Sequence, residues 1–179
     1  PSIITENSVI SKLDSGFFSC CTTKLCDITD YIDRYKKLPK LVDSSNQFSL
    51  YKRGRSYQDV TYDYFEHYEN IDLDFKYFEP FNVNHRIQYK NYQSINYELL
   101  SPIVKKYFTP SIQVKEELSI LKKDIDFQKT CVLFYRGNDK ALEVELCKYE
   151  DFLFYANKVL DKDSDVQFFL QSDETEFFD

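Results

Sequence analysis

The sequence predicts an α/β protein built from Rossmann-like parallel sheets, and three observations carry that expectation. Short β-prone runs alternate with amphipathic helical stripes at both ends of the chain, the pattern of βαβ units. Residues 131–136 are a mostly apolar run that reads as a buried strand, and 166–171 read as the next strand of the same sheet. The 179 residues are 42% hydrophobic and 30% charged, enough apolar surface to offset the ordering entropy of one domain or one and a fraction.

The first unit reads as strand, loop, helix, strand. Residues 8–13 form a short β-prone run that Asp14-Ser15-Gly16 breaks. Leu25, Ile28, Ile32 and Tyr35 then recur at spacings of three and four, the stripe of an amphipathic helix. Lys36-Lys37 suits the negative end of that helix, and Pro39 cannot continue its hydrogen-bond ladder. Leu41-Val42-Asp43 follows as a buried strand ending in an acid, so the functional loops of this unit belong at the carboxyl ends of its strands.

Residues 44–93 mix polar and aromatic side chains without a clean period, as in Tyr57-Gln58-Asp59-Val60-Thr61-Tyr62, and read as loops and short elements packed by large rings. Ser101-Pro102 predicts a helix start, because Ser caps and Pro is favoured at the first helical position. Pro110-Ser111 predicts another, with Leu118, Leu121 and Ile125 facing inward.

From residue 130 the α/β pattern returns. Residues 131–136 read as a buried strand, Gly137-Asn138-Asp139-Lys140 as a loop, and residues 149–160 as a helix with Tyr149, Phe152, Leu153, Ala156, Val159 and Leu160 on one side. A strand over 166–171 ends at Ser172-Asp173-Glu174. Asp173 with Glu176 has the spacing of a capping box, so a helix is expected there. The chain stops barely two turns later, which suggests a fragment of a longer protein or a doubly wound domain lacking its last units. The division expected is an N-terminal Rossmann-like domain over 1–115 and the start of a second over 116–179.

A formal charge of −7 argues against a broad nucleic-acid surface, which needs clustered Lys and Arg. Lys52-Arg53-Gly54-Arg55 reads either as an exposed loop of solvated charges or as a local phosphate contact. No run of about 18 apolar residues exists, and the first residues lack a basic and then apolar leader, so no membrane span or signal peptide is expected and the chain reads as cytoplasmic or as an excised soluble domain. Five cysteines, Cys20, Cys21, Cys26, Cys131 and Cys147, fall mainly in helical or strand patterns and suit a reducing compartment. No metal site is expected: Cys20, Cys21 and Cys26 lack a matching pair, and His67 and His85 lack a partner at ligand spacing. The 16 Phe and 15 Tyr follow a codon bias shared with Asn, Ile and Lys rather than a binding platform.

Arg136 emerges from the carboxyl end of an expected strand, followed by Gly137, Asn138, Asp139 and Lys140. Such a guanidinium fork suits a diphosphate, which it can pair bidentately, with Lys140 adding a point charge and Asp139 holding one of the two cations in place. The same residues also fit a simple ion pair at a strand end. Glu143 follows on the same loop, and Ser172-Asp173-Glu174 closes the next strand.

This combination resembles the fucosyltransferase-like superfamily of GT-B glycosyltransferases, which includes the α1,6-fucosyltransferases and the protein O-fucosyltransferases. Its signature is a hydrophobic strand ending in a His-x-Arg-x-x-Asp-Lys type sequence, a Glu, a helix, and a strand ending in Ser/Thr-Asp-Asp/Glu. Here it reads Phe134-Tyr135-Arg136-Gly137-Asn138-Asp139-Lys140, Glu143, then Ser172-Asp173-Glu174. Gly16-Phe17-Phe18-Ser19 looks like the opening loop of such enzymes, and reads equally as a turn with two buried rings. The chain departs from the pattern at Phe134, where His is usual, at Gly137, where the α1,6 branch has a second Arg, and at Glu143, which follows Lys140 one residue sooner. Those departures leave the acceptor linkage and the sugar open.

The resemblance implies inverting transfer of a sugar, most simply fucose from GDP-fucose, to a glycan or protein hydroxyl. In that reading 1–115 is the acceptor-side domain and 116–179 begins the donor-nucleotide domain. Arg136 neutralises the β-phosphate, and Glu143 is the general base, with Asp43 as the second candidate. Asn138, Asp139, Lys140, Ser172, Asp173 and Glu174 contact the donor. No metal or other cofactor is implied beyond the GDP-sugar donor substrate. A second reading is a non-catalytic α/β glycan- or partner-binding module derived from a transferase. A nucleotide-dependent kinase or ATPase fits less well, because no Gly-x4-Gly-Lys-Ser/Thr loop is present.

Overall fold

In the computed structural model of the chain, residues 1–52, 60–67, 69–78, 93 and 95–179 are described, and the side chains of Thr61, Tyr77 and Asp139 lie outside that set. The protein is mixed α/β with small sheets and five helices among the described residues. It divides into two compact units, Pro1–Glu116 and Glu117–Asp179.

The first unit holds a three-stranded sheet in the order β1 (Ile3–Ile4), β2 (Ser8–Leu13), β3 (Leu41–Gln47). Helix α1 (Phe17–Tyr35) crosses between β2 and β3, which pair in parallel with Val9 opposite Val42. The expected βαβ unit is therefore present, but β1 pairs antiparallel to β2, so the sheet is mixed. Lys36 ends α1 in the left-handed conformation and donates its N–H to the Ile32 carbonyl at 2.8 Å, satisfying a last-turn acceptor.

Strand β3 runs four residues past Asp43, so that residue lies inside the strand rather than at its end. The polar run Ser44-Ser45-Asn46-Gln47 hid this. Ser44 and Gln47 point inward, and the Gln47 amide donates to the Cys20 carbonyl at 3.0 Å, so a polar side chain is held within the sheet. Phe48 follows with φ 59°, a left-handed backbone uncommon for a bulky residue, and its ring is fully buried.

The short helix α2 (Thr61–Tyr64) leads into β4 (Phe65–Glu66), which pairs antiparallel with β5 (Thr109–Pro110). Helix α3 (Tyr97–Phe108) begins earlier than Ser101-Pro102 predicts. The Asn96 side chain accepts from the Leu99 N–H at 3.2 Å and sets the start. Pro102 then sits inside the helix, which survives its missing donor because Leu100, Ile103 and Tyr107 bury one stripe. The core of the unit joins Val9, Ile28, Tyr31, Ile32, Val42 and Ile103, with a second cluster of Cys20, Phe48, Val60 and Phe65.

Helix α4 (Ile112–Asp124) spans the division between the units. Ser111 caps it as expected, accepting from the Val114 N–H at 3.3 Å and donating to the Asp63 carbonyl. The predicted inward face is not inward, since Leu118 and Leu121 are exposed and no residue of the helix is buried.

The second unit is one βαβ motif. Strands β6 (Thr130–Tyr135) and β7 (Gln167–Ser172) pair in parallel, with Leu133 opposite Leu170 and Tyr135 opposite Ser172, and α5 (Tyr149–Leu160) connects them. The Lys148 N–H donates to the Asp151 carboxylate at 3.2 Å, satisfying the start of α5. Strand β6 is not buried on both sides as its apolar run suggested: Val132 and Phe134 are 56% and 55% exposed, while Tyr135 on the other face is covered. The inward side of α5 is Tyr149, Phe152, Ala156 and Val159, whereas Leu153 and Leu160 are exposed. Tyr135 packs against Tyr149, Phe152 and Phe177, with centroids 5.0, 5.6 and 5.0 Å away, and that aromatic cluster is the heart of the unit.

Candidate functional site

At the carboxyl ends of β6 and β7 two short segments are tied together. Asp173 accepts the Gly137 N–H on Oδ1 at 2.8 Å, and its carbonyl accepts from the Asn138 amide at 2.6 Å. Its other carboxylate oxygen lies 3.9 Å from Arg136 Nε. Glu174 donates its N–H to Ser172 Oγ at 2.9 Å, which folds the loop back, and its carboxylate accepts from the Tyr149 hydroxyl at 2.5 Å.

At Gly137 the close approach is one of space and not of backbone angle, because φ is −103°. A Cβ there would lie 2.0 Å from Glu174 Oε1 and 2.2 Å from its Cδ. The Glu174 carboxylate thus occupies the volume that a side chain at 137 would fill. Gly16 is different: an added Cβ would meet nothing within 4 Å.

Parallel pairing brings Arg136, Gly137, Asn138, Ser172, Asp173 and Glu174 into one patch, with Asp173 as its centre. Asp173 does not cap a following helix. Its carboxylate is spent across the sheet, and the chain makes only a 3₁₀ turn over Thr175–Phe178. Lys140 and Glu143 lie on the turn after Gly137 and pair with each other. Glu143 is 58% exposed, and the Arg136 side chain is half exposed beside Asp173. The Asp139 side chain lies outside the described residues.

Sequence reasoning missed Tyr149. Nothing in a helix-start tyrosine announces a partner on another strand. The only signal was glycine directly after Arg136 in a chain with three glycines, a sign of close approach. The Tyr149 hydroxyl is pushed well above the usual phenol range, chiefly by its hydrogen bond to Glu174 and further by burial. Tyr135 is pushed up by burial and by the nearby Glu174 charge.

In the first unit the Gly16-Phe17-Phe18-Ser19 segment is not an open loop. Phe17, Phe18 and Ser19 form the first turn of α1 behind Gly16. Phe17 packs against Phe48, Tyr51 and Tyr64, and its N–H donates to the Tyr51 hydroxyl at 2.9 Å. Phe18 is 82% exposed, so only one of the two rings packs inward. Both rings, with Cys21, Leu25, Phe65 and Phe108, line an apolar groove of about 310 Å³. Burial raises the Cys21 thiol to about 11, which leaves it protonated and weakly nucleophilic. Asp43 accepts the Ser45 N–H at 2.7 Å within its own strand. Lys52 donates to the Ser45 carbonyl, while Arg53, Gly54, Arg55 and His85 lie outside the described residues.

A buried lysine was also not anticipated. Lys24 is fully buried on α1, with Nζ 3.4 Å from His67 Nε2 and about 5 Å from the Phe65 and Phe108 ring centroids. Burial first, then the Lys24 and Lys106 charges, lowers His67 to about 3, so the ring is neutral and can accept from Lys24.

Comparison with protein-family models, with curated proteins and with solved structures finds no match. The residues therefore carry the functional reading. Among the described residues no helix is long and apolar enough to cross a membrane.

Proposed function

We propose that this chain is a nucleotide-sugar-dependent glycosyltransferase of the fucosyltransferase-like GT-B type, transferring a sugar with inversion, most simply fucose from GDP-fucose, to a glycan or protein hydroxyl. The observation that carries the reading is the half-exposed Arg136 at the carboxyl end of β6, backed by Asp173 and followed by a glycine over which Glu174 lies. The carboxyl ends of parallel strands are where α/β sheets bind ligands, and a guanidinium there can take the charge of a leaving diphosphate.

In this mechanism the acceptor hydroxyl oxygen attacks the anomeric carbon as the bond from that carbon to the β-phosphate oxygen breaks. The departing nucleoside diphosphate carries the bonding pair, and Arg136 neutralises it. Glu143 takes the hydroxyl proton. Its carboxylate is paired with Lys140, and its exposure leaves it reachable. Asp43, the second candidate for the base, accepts the Ser45 N–H within its own strand. The missing second arginine of the α1,6 pattern has a steric counterpart here, since Glu174 fills the space at position 137. On this loop the donor therefore meets one arginine, Arg136.

A non-catalytic binding module derived from a transferase is the second reading, favoured by the closure of Glu143 onto Lys140. Thermal-shift titration with GDP, GDP-fucose, UDP, UDP-glucose and ATP tests the donor assignment. The expected result is stabilisation selective for GDP and GDP-fucose that Arg136→Ala abolishes. Stabilisation that survives Arg136→Ala overturns the assignment, and GDP-selective binding without release of GDP from GDP-fucose in the presence of acceptors supports the binding module.

A further inference from the structure

Asp173 faces Arg136, yet Asp173 sits on a two-residue loop at the end of a two-stranded sheet. Such a loop needs holding at both ends if its carboxylate is to keep one position. On one side the Ser172 hydroxyl accepts the Glu174 N–H and closes the turn. On the other, the Glu174 carboxylate lies over Gly137, where a Cβ would be 2.0 Å away, and is gripped there by the Tyr149 hydroxyl. Tyr149 is itself fixed, because its ring packs edge-on against Tyr135 and Phe177 at 5.0 and 5.6 Å. The rigid aromatic cluster is thus connected to Arg136 through an unbroken series: Tyr149 to Glu174, Glu174 over Gly137, and Asp173 to both the Gly137 N–H and the guanidinium.

We infer that Tyr149 is a positioning residue for Arg136, holding Glu174 down on Gly137 so that the Asp173 carboxylate stays aligned with the guanidinium. The inference rests on the reading of Arg136 as a diphosphate ligand for its functional meaning, but the geometry it describes does not. Tyr149 touches no ligand in this scheme. Its effect is on how much of the guanidinium's orientation is already set before an anion arrives, and pre-setting side chains is what lowers the entropic cost of binding. Glu174 enters as the intermediate link, which explains why an acidic residue stands beside a proposed anion site: its charge is directed at the tyrosine hydroxyl and not at the ligand.

The test uses the whole chain labelled with ¹⁵N and two readouts on Tyr149→Phe. The first is the Arg136 Nε–H resonance, which reports guanidinium partnering without any ligand. The second is the dissociation constant for GDP. The expected result is that Tyr149→Phe moves the Arg136 Nε–H signal toward that of a freely solvated arginine and weakens GDP roughly tenfold, the effect of having to order about one more side chain on binding, while the far-ultraviolet dichroism is unchanged. Glu174→Ala reproduces both changes, and Glu174→Gln, which keeps an acceptor for the tyrosine hydroxyl, reproduces neither in full. An Arg136 signal unchanged in Tyr149→Phe overturns the inference. If the wild-type chain does not bind GDP, the proposed function fails, but the Arg136 signal still decides the positioning role. Should Tyr149→Phe fail to fold, Glu174→Ala and Glu174→Gln give the same decision.

Discussion

Replacing Gly137 by alanine probes the junction on which the site depends. The new Cβ would lie 2.0, 2.2 and 2.6 Å from Oε1, Cδ and Oε2 of Glu174, against ordinary contacts of about 3.5 Å. The carboxylate must retreat by more than an ångström, and its bond to the Tyr149 hydroxyl is lost in the process. A hydrogen bond to a charged group is worth about 1.5–3 kcal/mol net. The φ of −103° is acceptable to alanine, so the stiffer unfolded chain returns about 0.4–1 kcal/mol. The net expectation is a loss of roughly 1–2 kcal/mol. Urea unfolding followed by the near-ultraviolet dichroism of the Tyr135–Tyr149 cluster measures it. In a Glu174→Ala background the obstacle is gone, so the same glycine replacement should be neutral or mildly stabilising, and the cycle isolates the contact. Gly137→Ala as stable as wild type, or a cost that persists without Glu174, refutes the reasoning.

Two further outcomes are expected in the first unit. Asn96→Ala removes the side chain that caps α3 and should cost about 1 kcal/mol, measurable as lost helical dichroism and a lower urea midpoint, whereas Ser101→Ala, inside the helix, should cost little. Acidification should destabilise the unit through His67. Its folded value of about 3 lies below the unfolded value of 6.5, so the unfolded chain takes up a proton that the folded state refuses, and stability falls as pH drops through that window. The slope is bounded by about 1.4 kcal/mol per pH unit and is reduced because the ring is only partly buried. His67→Gln keeps an acceptor for Lys24 and should flatten that part of the stability–pH curve; equal slopes in both proteins would contradict the assignment.

Both βαβ units were legible because their signals are local. The stripe of Leu25, Ile28, Ile32 and Tyr35 and the breakers Asp14-Ser15-Gly16 act within a few residues, and α1, β2 and β6 fall close to where the pattern puts them. The misreadings share a cause in tertiary competition. Ser101-Pro102 carries a genuine start signal, but Asn96 precedes it and burial of Leu100, Ile103 and Tyr107 extends the helix across the proline. Asp173 has capping-box spacing, yet the Gly137 N–H across the sheet takes its carboxylate. In the proposed site, the strand-end positions of Arg136 and Ser172-Asp173-Glu174 were legible because strand ends can be read from apolar runs. Tyr149 was not, because its partner lies 25 residues away and is chosen by packing.

The central claim is that the ends of β6 and β7 hold a nucleoside diphosphate at Arg136. The most direct measurement is a titration of the ¹⁵N-labelled chain with GDP, with guanosine as control, following the backbone and Arg136 side-chain resonances. The claim predicts saturable shifts centred on residues 136–140 and 172–174, absent with guanosine and lost in Arg136→Ala. Shifts confined to another part of the chain, or no shifts at millimolar GDP, would contradict it.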